Sequence, residues 1–563
     1  MKLKYIMCGI WAFISRRNIS YDLMRGCFNS SHALKARGPE TSSFITINNK
    51  IVMIFHRLAI NGLEENGNQP FVTNDGKISC ICNGEIYNYK NLKEKYPQFD
   101  LKSTSDCEII PYLYDIYGCN VQHSLDGEFA SIIVSKHDNC NPHNIYDLFA
   151  VRDKFGVRPL FYVINNDGIY LSSEMKGIYN FGKVRIFPPS HIMMLRIVDN
   201  WKDDDIKIYQ YYNFDLPIQP CINIEDIIRD KFMSCVRKRL MTDRPIGCLL
   251  SGGLDSSIVS AVVANYLPKK TLRTFTIGFE NGSDVYYAQK ASEHIGTIHT
   301  FFKISIEEAL SAIEDTIYAI ESFDTTTVRA SVFQYLLGKY IRNTTNIKVL
   351  LTGEGSDELM GGYLYFHLAP SPNAFHEENI RLLKDIHKYD GLRVDRAMAM
   401  NGLEVRIPFL DPEFTKFFLS IDPTLRIPRC RDETCPSNEN NPPIEKYLFR
   451  KAFEQTNLLP QEVLWRRKEA FSDGVSTIKK SWFQILQEHI DTLVSNEEFE
   501  KEKIKYTHCP PTTKEMYYYR KIFEKHFGDN NSSVIPYFWM PKWTNSTDPS
   551  ARTLKIYKNN SLI

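Results

Sequence analysis

The chain carries almost no net charge: 68 Lys and Arg stand against 67 Asp and Glu, leaving +1. A protein that tracks a phosphate backbone or an anionic membrane by bulk charge needs a surplus of basic residues, so composition supports neither nucleic acid nor membrane as a partner. Long apolar runs are also missing. No 18 consecutive apolar residues occur, so no spanning helix is expected. Cysteine is sparse, 13 in 563 residues scattered from Cys8 to Cys509, without the dense regular spacing of a secreted disulfide framework. A reducing, cytoplasmic setting is the expectation. Lys2 and Lys4 ahead of the apolar run Tyr5 to Ile14 imitate a signal peptide, but no small-residue cleavage site follows and Ser15-Arg16-Arg17 closes the run. There is no internal repeat.

The length is enough for two to four domains, each with its own core. The first 210 residues read as strand-rich. Ser43 to Ile47, Ile51 to Phe55, Ile78 to Cys82, Leu148 to Val151 and Leu160 to Ile164 are short, β-branched or aromatic, and bounded by turn formers. The spacer Asn165-Asn166-Asp167-Gly168 predicts a hairpin, because Asn and Gly accept the positive φ of tight turns. Packed antiparallel sheets with a few helices follow. Near residue 215 two prolines within four residues, Pro217 and Pro220, interrupt every period, and the pattern changes to helix alternating with strand. Ile246 to Leu250, Leu272 to Phe279 and Lys348 to Leu351 read as strands, and Ser256 to Leu267 as a helix apolar on all sides. This is the grammar of a parallel α/β sheet with ligands at the carboxyl ends of its strands. The stretch 432–443, rich in Asn, Ser, Glu and Pro, reads as an exposed loop.

Two turns carry chemistry. Ser251-Gly252-Gly253-Leu254-Asp255-Ser256-Ser257 lies between a buried strand and a buried helix, where glycine amides, hydroxyls and the helix dipole favour a phosphate. It lacks the Lys of a Walker loop, and Asp255 would serve as a Mg²⁺ ligand. Alone, the heptapeptide also fits a plain capped helix start. The second turn, Thr352-Gly353-Glu354-Gly355-Ser356-Asp357-Glu358, follows another apolar strand, and two Gly-rich acidic loops at equivalent strand ends make one site.

Ser251 to Ser256 resembles the pyrophosphatase loop of the ATP pyrophosphatase superfamily, and with 353–358 it resembles the synthetase domain of the asparagine synthetases. Val394 to Met400, Glu404 to Asp411 and Arg467 to Gly474 also match that family. Trp539 to Trp543 and Thr547 to Leu554 resemble its eukaryotic-type branch. Met7-Cys8-Gly9-Ile10 is similar to the start of the class II glutamine amidotransferases, where Met is removed and Cys becomes residue one. The freed α-amine, with an ordinary pKa near ~8, can take the thiol proton without a His partner. Arg57, Asn83-Gly84-Glu85 and Asp106 follow in the order of that family, as does the stretch Arg152 to Leu160.

The resemblance implies an N-terminal Ntn-type αββα sandwich and a C-terminal PP-loop, adenine nucleotide α-hydrolase-like α/β domain. It divides the chain into an extension or removed leader (1–7), an amidotransferase domain (8–212), a linker (213–222), a synthetase domain (223–550) and a tail (551–563). The implied activity is ATP-dependent asparagine synthesis with ammonia from glutamine, through β-aspartyl-AMP. The partners are then the small molecules glutamine, aspartate and ATP with Mg²⁺. No prosthetic group is expected, and a homodimer is compatible.

The implied roles are as follows. Cys8 is the nucleophile, and Asn83 and Gly84 form the oxyanion hole. Arg57 holds the glutamine carboxylate and Glu85 and Asp106 its ammonium, with Leu58, Ala59, Ile60 and Asn61 alongside. Leu249 and Ile277 flank adenine. Ser251, Gly252, Gly253, Asp255, Ser256, Thr352, Gly353 and Lys468 meet the phosphates, with Asp255 and Asp357 near the metal. Glu354 is the base or positioning group for ammonia, and Thr326, Thr327, Arg329 and Arg406 serve aspartate or the intermediate.

Three rivals remain: a β-lactam-synthetase-like ligase, an ammonia-only synthetase with a blocked glutaminase site, and a binding protein on a degenerate scaffold. Two departures from the family bear on them. Met1 to Ile6 precede Met7, and if they stay attached the Cys8 nitrogen is an amide without a basic lone pair. Ala36-Arg37-Gly38-Pro39-Glu40 stands where the family has His-Arg-Gly-Pro-Asp. A smaller change is Thr352 in place of the commoner Ser.

Overall fold

The computed structural model describes residues 8–137, 145–214, 216–280, 282–432, 442–469, 474–475, 480–546 and 548–549. The extension 1–7, residue 215, the centre of the 432–443 loop, Phe471 to Asp473, Thr547 and 550–554 lie outside them.

The first 210 residues build two six-stranded antiparallel sheets. The strands are β1 (Gly9–Ser15), β2 (Thr41–Ile47), β3 (Ile51–Arg57), β4 (Phe71–Val72), β5 (Ile78–Ile86), β6 (Gly127–Lys136), β7 (Tyr146–Arg152), β8 (Phe161–Ile164), β9 (Gly168–Ser172), β10 (Arg185–Ile186), β11 (His191–Ile197) and β12 (Lys207–Gln210). One sheet runs β10-β8-β9-β1-β3-β2 and the other β12-β11-β7-β6-β5-β4. The predicted hairpin is present, with Ile164 opposite Ile169 and the Asn165 side chain accepting from the amides of Asp167 (2.8 Å) and Gly168 (3.1 Å).

Every residue of β1 is buried, because both its faces are covered. Ile10, Ala12 and Ile14 meet Ile81, Ile132 and Val134 between the sheets. Trp11 and Phe13 face the layer of helix α1 (Tyr21–Ser31), where Cys27 and Leu34 pack. On the far side, Ile110 and Leu113 of helix α2 (Ile109–Tyr117) cover Cys80 and Ile133. The order is helix, sheet, sheet, helix: the αββα sandwich.

Beyond helix α3 (Ile224–Lys238) lies a five-stranded parallel sheet of β13 (Ile246–Leu249), β14 (Arg273–Gly278), β15 (Ile298–Lys303), β16 (Val349–Leu351) and β17 (Glu404–Arg406), in the order β15-β14-β13-β16-β17. Helix α4 (Leu254–Tyr266) follows β13, and Ile258, Val259, Val262 and Val263 are fully buried on it, as its all-round apolar sequence requires. The chain leaves β13 toward β14 on one side and returns beside it as β16 on the other. The crevice between β13 and β16 is thus the switch point of the sheet, where open α/β sheets bind ligands. Two elements were not foreseen. Strand β17 is built largely of charge, which reads as surface in a sequence. The 432–443 loop is closed at its base by Arg429 opposite Ile444 and Cys430 opposite Pro443.

The two halves are joined by buried ion pairs. Asp395 accepts from Arg37 at 2.9 Å and Arg158 at 3.0 Å, while Arg239 spans Glu128 and Asp411, each at 2.8 Å. Lys238 meets Asp126 at 2.7 Å and Arg244 meets Glu40 at 2.8 Å. The segments 152–160, 394–400 and 404–411, singled out in the sequence without a site role for most of their residues, supply much of this seam.

The eleven described cysteines are all free. Among the described residues no helix is long and apolar enough to cross a membrane.

Candidate active sites

Cys8 sits at the mouth of β1, beside the end of β3. Its Sγ donates to the Leu58 carbonyl at 3.2 Å and accepts from the Leu58 amide at 3.4 Å. Burial pushes the thiol up, only partly offset by the Leu58 contact and Arg57, and no imidazole is hydrogen-bonded to it among the described residues. The resting group is a neutral thiol that needs a base. Arg37 fixes the Cys8 carbonyl at 3.1 Å.

Around Cys8 the sequence-named groups converge. Arg57 is buried, and its guanidinium donates to the carbonyls of Glu64 (2.8 Å) and Gly62. Burial lowers its pKa, and among the described residues no carboxylate lies within 4 Å of it. It retains charge for an incoming carboxylate.

The Asn83 Nδ2 is buried with no partner among the described residues, as a donor reserved for a ligand would be. Gly84 has φ +146°, and a Cβ there would stand 2.1 Å from the Glu128 carbonyl oxygen, so no other residue fits. Asp106 accepts from the Ile86 amide at 2.6 Å, and burial pushes its carboxyl up to about 6. Glu85 is raised well above the usual range by burial and by Asp106. It takes a hydrogen bond from Asn61 and lies 3.3 Å from Arg406. The Ala59 and Ile60 carbonyls are taken by Arg244 (2.8 Å) and the Asp243 amide (3.0 Å), which ties this loop to the second half.

At the switch point lies a cleft lined by Leu249, Ser251, Gly253, Asp255, Ser256, Ile277, Thr326, Thr352, Gly353, Glu354, Asp357 and Lys468 among others. Gly252, at φ +76°, turns the first loop. A Cβ on Gly353 would come within 2.6 Å of the Asp255 and Ser256 backbone, so glycine lets the two loops touch. No side chain caps helix α4, whose first amides remain for an anion.

Lys446, unforeseen in the sequence, stands between the loops. Its Nζ is 2.7 Å from Asp255, 2.6 Å from Ser356 Oγ and 2.6 Å from Asp357. Lys468 holds the other oxygen of Asp357. Burial alone would raise Asp357, but Lys446 and Lys468 hold it well below the carboxylate range. Burial raises Glu354, and Arg393, 2.7 Å away, opposes the shift.

Three sequence-named residues are not brought to this cleft. Thr327 is held by Asp324, the N-cap of its own helix α5 (Thr325–Thr344), its amide (3.0 Å) and hydroxyl (2.8 Å) both donating to that carboxylate. Arg329 is saturated by Glu515 and Asp548. Arg406 is buried in the seam, donating to Glu404 and to the Arg239 carbonyl at 2.7 Å each. In their place the cleft presents Gln334, Tyr363, Asp390 and Arg393. No local motif marks these four.

Family comparison decides what this pair of sites is. A glutamine amidotransferase domain model matches residues 7–210, and an asparagine synthase model matches 227–374 and 368–547. Curated glutamine-hydrolysing asparagine synthetases are similar over nearly everything: 43% identity for that of Gallus gallus, 40% for Homo sapiens and 41% for Cricetulus griseus, each covering 98% of this chain and 99% of the relative. The chain belongs to the glutamine-hydrolysing asparagine synthetases. The first site lies within the glutamine amidotransferase match and the cleft within the asparagine synthase match. Cys8 and Ile246 pack on an apolar cluster of Leu58, Ile60, Val349 and Ala399, which draws on both halves of the chain. Val349 begins β16, which delivers Thr352 to Glu354.

Proposed function

We propose that the protein makes asparagine from aspartate and ATP in the cytoplasm, using ammonia released from glutamine. The observation that carries this reading is the apolar cluster that packs Cys8 against Val349, the first residue of β16, whose far end leads into the Thr352–Glu354 turn of the cleft.

With Cys8 at the N-terminus, its amine takes the thiol proton and the thiolate attacks the glutamine amide carbon. Asn83 Nδ2 and the Gly84 amide meet the oxyanion, Arg57 the α-carboxylate, and Glu85 and Asp106 the ammonium. Ammonia leaves, and water hydrolyses the thioester to glutamate. Free ammonia is largely ammonium in neutral water, so a dry route preserves the nucleophile.

In the cleft, Leu249 and Ile277 flank adenine, and Ser251 to Ser256 with Thr352 and Gly353 bind phosphates. An aspartate β-carboxylate oxygen attacks the α-phosphorus and pyrophosphate departs, its charge met by Lys468 and Lys446. Ammonia then attacks the β-aspartyl-AMP carbonyl, AMP leaves, and the proton shed by nitrogen passes to Glu354. Asp255 and Asp357 both line the phosphate end of the cleft, and two carboxylates of that kind would hold Mg²⁺. Mg²⁺ there would neutralise phosphate charge. Thr326 lines the aspartate end of the cleft.

The test is a pair of variants in a chain beginning at Met7. Cys8→Ser is expected to lose glutamine-dependent synthesis and keep ammonia-dependent synthesis, whereas Asp255→Ala loses both. Retention of aspartate-dependent pyrophosphate release in Asp255→Ala would overturn the assignment of the cleft.

A further inference from the structure

Gln334, on the cleft side of helix α5, is buried to 4% exposure. Its Nε2 donates to Glu354 Oε1 at 3.0 Å, while Arg393 on helix α6 (Asp390–Ala399) donates to Glu354 Oε2 at 2.7 Å. Each oxygen of this carboxylate therefore has one donor, and the two donors come from different helices. Because a carboxylate only accepts, the amide nitrogen must face Glu354 and the amide oxygen must turn away. That oxygen is buried and has no partner among the described residues. A buried, unpaired amide oxygen is a cost that an apolar side chain of the same length would avoid. The unpaired oxygen therefore offsets part of the stabilisation that the bond to the buried Glu354 carboxylate supplies.

We propose that Gln334 is a positioning residue for asparagine formation: its amide holds the Glu354 carboxylate toward the reacting carbonyl, at the expense of an unsatisfied oxygen in the core. The inference rests on the proposed role of Glu354. Gln334 belongs to the synthetase half and, among the described residues, its side chain hydrogen-bonds to Glu354 alone, so glutamine hydrolysis at Cys8 is untouched by it.

The experiment compares wild type, Gln334→Met and Gln334→Glu in a chain beginning at Met7, with ammonia as nitrogen donor. Met keeps the length and removes the bond. The expected result is a kcat lowered about ten- to a hundredfold, as for loss of a hydrogen bond to a charged group. KM for ATP stays unchanged, glutaminase activity is intact, and the melting temperature moves little, because the lost bond and the removed unpaired oxygen act in opposite directions. The acid limb of the kcat profile moves up, because the ionised form loses a donor while Arg393, Asp390, Lys468 and Asp357 still face it. Gln334→Glu, nearly isosteric but with a second carboxylate beside Glu354, moves that limb further.

Three outcomes overturn the proposal: Gln334→Met turning over like wild type, Gln334→Met losing melting temperature and ATP affinity in step with rate, or Gln334→Glu behaving like wild type. A wild-type chain with no aspartate-dependent pyrophosphate release overturns the parent reading, and this inference with it.

Discussion

Replacing Asp395 with Asn tests the seam between the two centres. Asp395 is 2% exposed and shared by Arg37 and Arg158, both fully buried. Asn keeps the shape but removes the charge, leaving Arg37 with Glu174 (2.9 Å) and Arg158 with Glu128 (3.4 Å) and Glu404 (4.0 Å). Breaking a buried pair by removing one partner costs about 3–5 kcal/mol. An unfolding entropy of roughly 2 cal/mol/K per residue gives about 1.2 kcal/mol/K for a chain of 563 residues. If the chain melts as one unit, the melting temperature falls by about 2–4 °C. A fall confined to one of two calorimetric transitions would be larger, because fewer residues share the loss. The functional readout is sharper. Arg37 also holds the Cys8 carbonyl at 3.1 Å, so loosening it shifts the nucleophile and the wall of the apolar route together. Asparagine formed per glutamine hydrolysed should drop, while ammonia-dependent synthesis stays near wild type. Scanning calorimetry and the asparagine-to-glutamate ratio measure both effects. An unchanged melting temperature with an unchanged ratio would refute the argument that this carboxylate binds the halves together.

Further outcomes follow from the same geometry. Gly84→Ala places a Cβ 2.1 Å from the Glu128 oxygen at a φ that Ala resists, so glutaminase activity should fall at least a hundredfold in a glutamate-release assay while ammonia-dependent synthesis persists. Asp106 titrates near 6 and must be ionised to hold the substrate ammonium. KM for glutamine should therefore rise as pH falls through 6, and a flat KM from pH 5 to 7 would contradict the assignment. A chain that keeps Met1 to Ile6 should show no glutaminase activity and normal ammonia-dependent synthesis. Side-by-side assay with a Met7-start form, each checked by intact mass, separates a blocked nucleophile from an inactive one. Lys446→Met removes the cation between Asp255 and Asp357, and pyrophosphate release should slow at least tenfold in a stopped-flow assay.

What the sequence disclosed depended on how local the physics is. Gly84 and Gly353 are dictated by backbone approach within a few ångströms, and such constraints leave fixed short strings. The Cys8-Gly9 start and both loops were legible for that reason. The all-apolar helix α4 and the hairpin at Asn165 were legible because burial and turn geometry act residue by residue. Side chains that reach a site from afar leave no such string. Lys446 lies 191 residues from Asp255, and Gln334 and Arg393 meet Glu354 from separate helices. Arg329 and Arg406 show the converse. Each sits in a segment similar to the family, yet an arginine's position in sequence does not reveal which carboxylate it meets. Arg329 turns to Glu515 and Asp548, and Arg406 to the seam. Strand β17 escaped notice because its glutamate and arginine neutralise each other in the interior rather than facing water.

The central claim is that one chain moves nitrogen from glutamine to aspartate at the expense of ATP. The most direct measurement supplies the Met7-start protein with glutamine labelled with ¹⁵N at the amide, aspartate, Mg²⁺ and ATP, in the presence of excess unlabelled ammonium, and reads the asparagine by mass spectrometry. The account predicts labelled asparagine well above the fraction set by mixing with the bulk pool, with one pyrophosphate and one AMP per asparagine. Label at the bulk fraction would contradict the enclosed route, and pyrophosphate release that does not depend on aspartate would contradict the account as a whole.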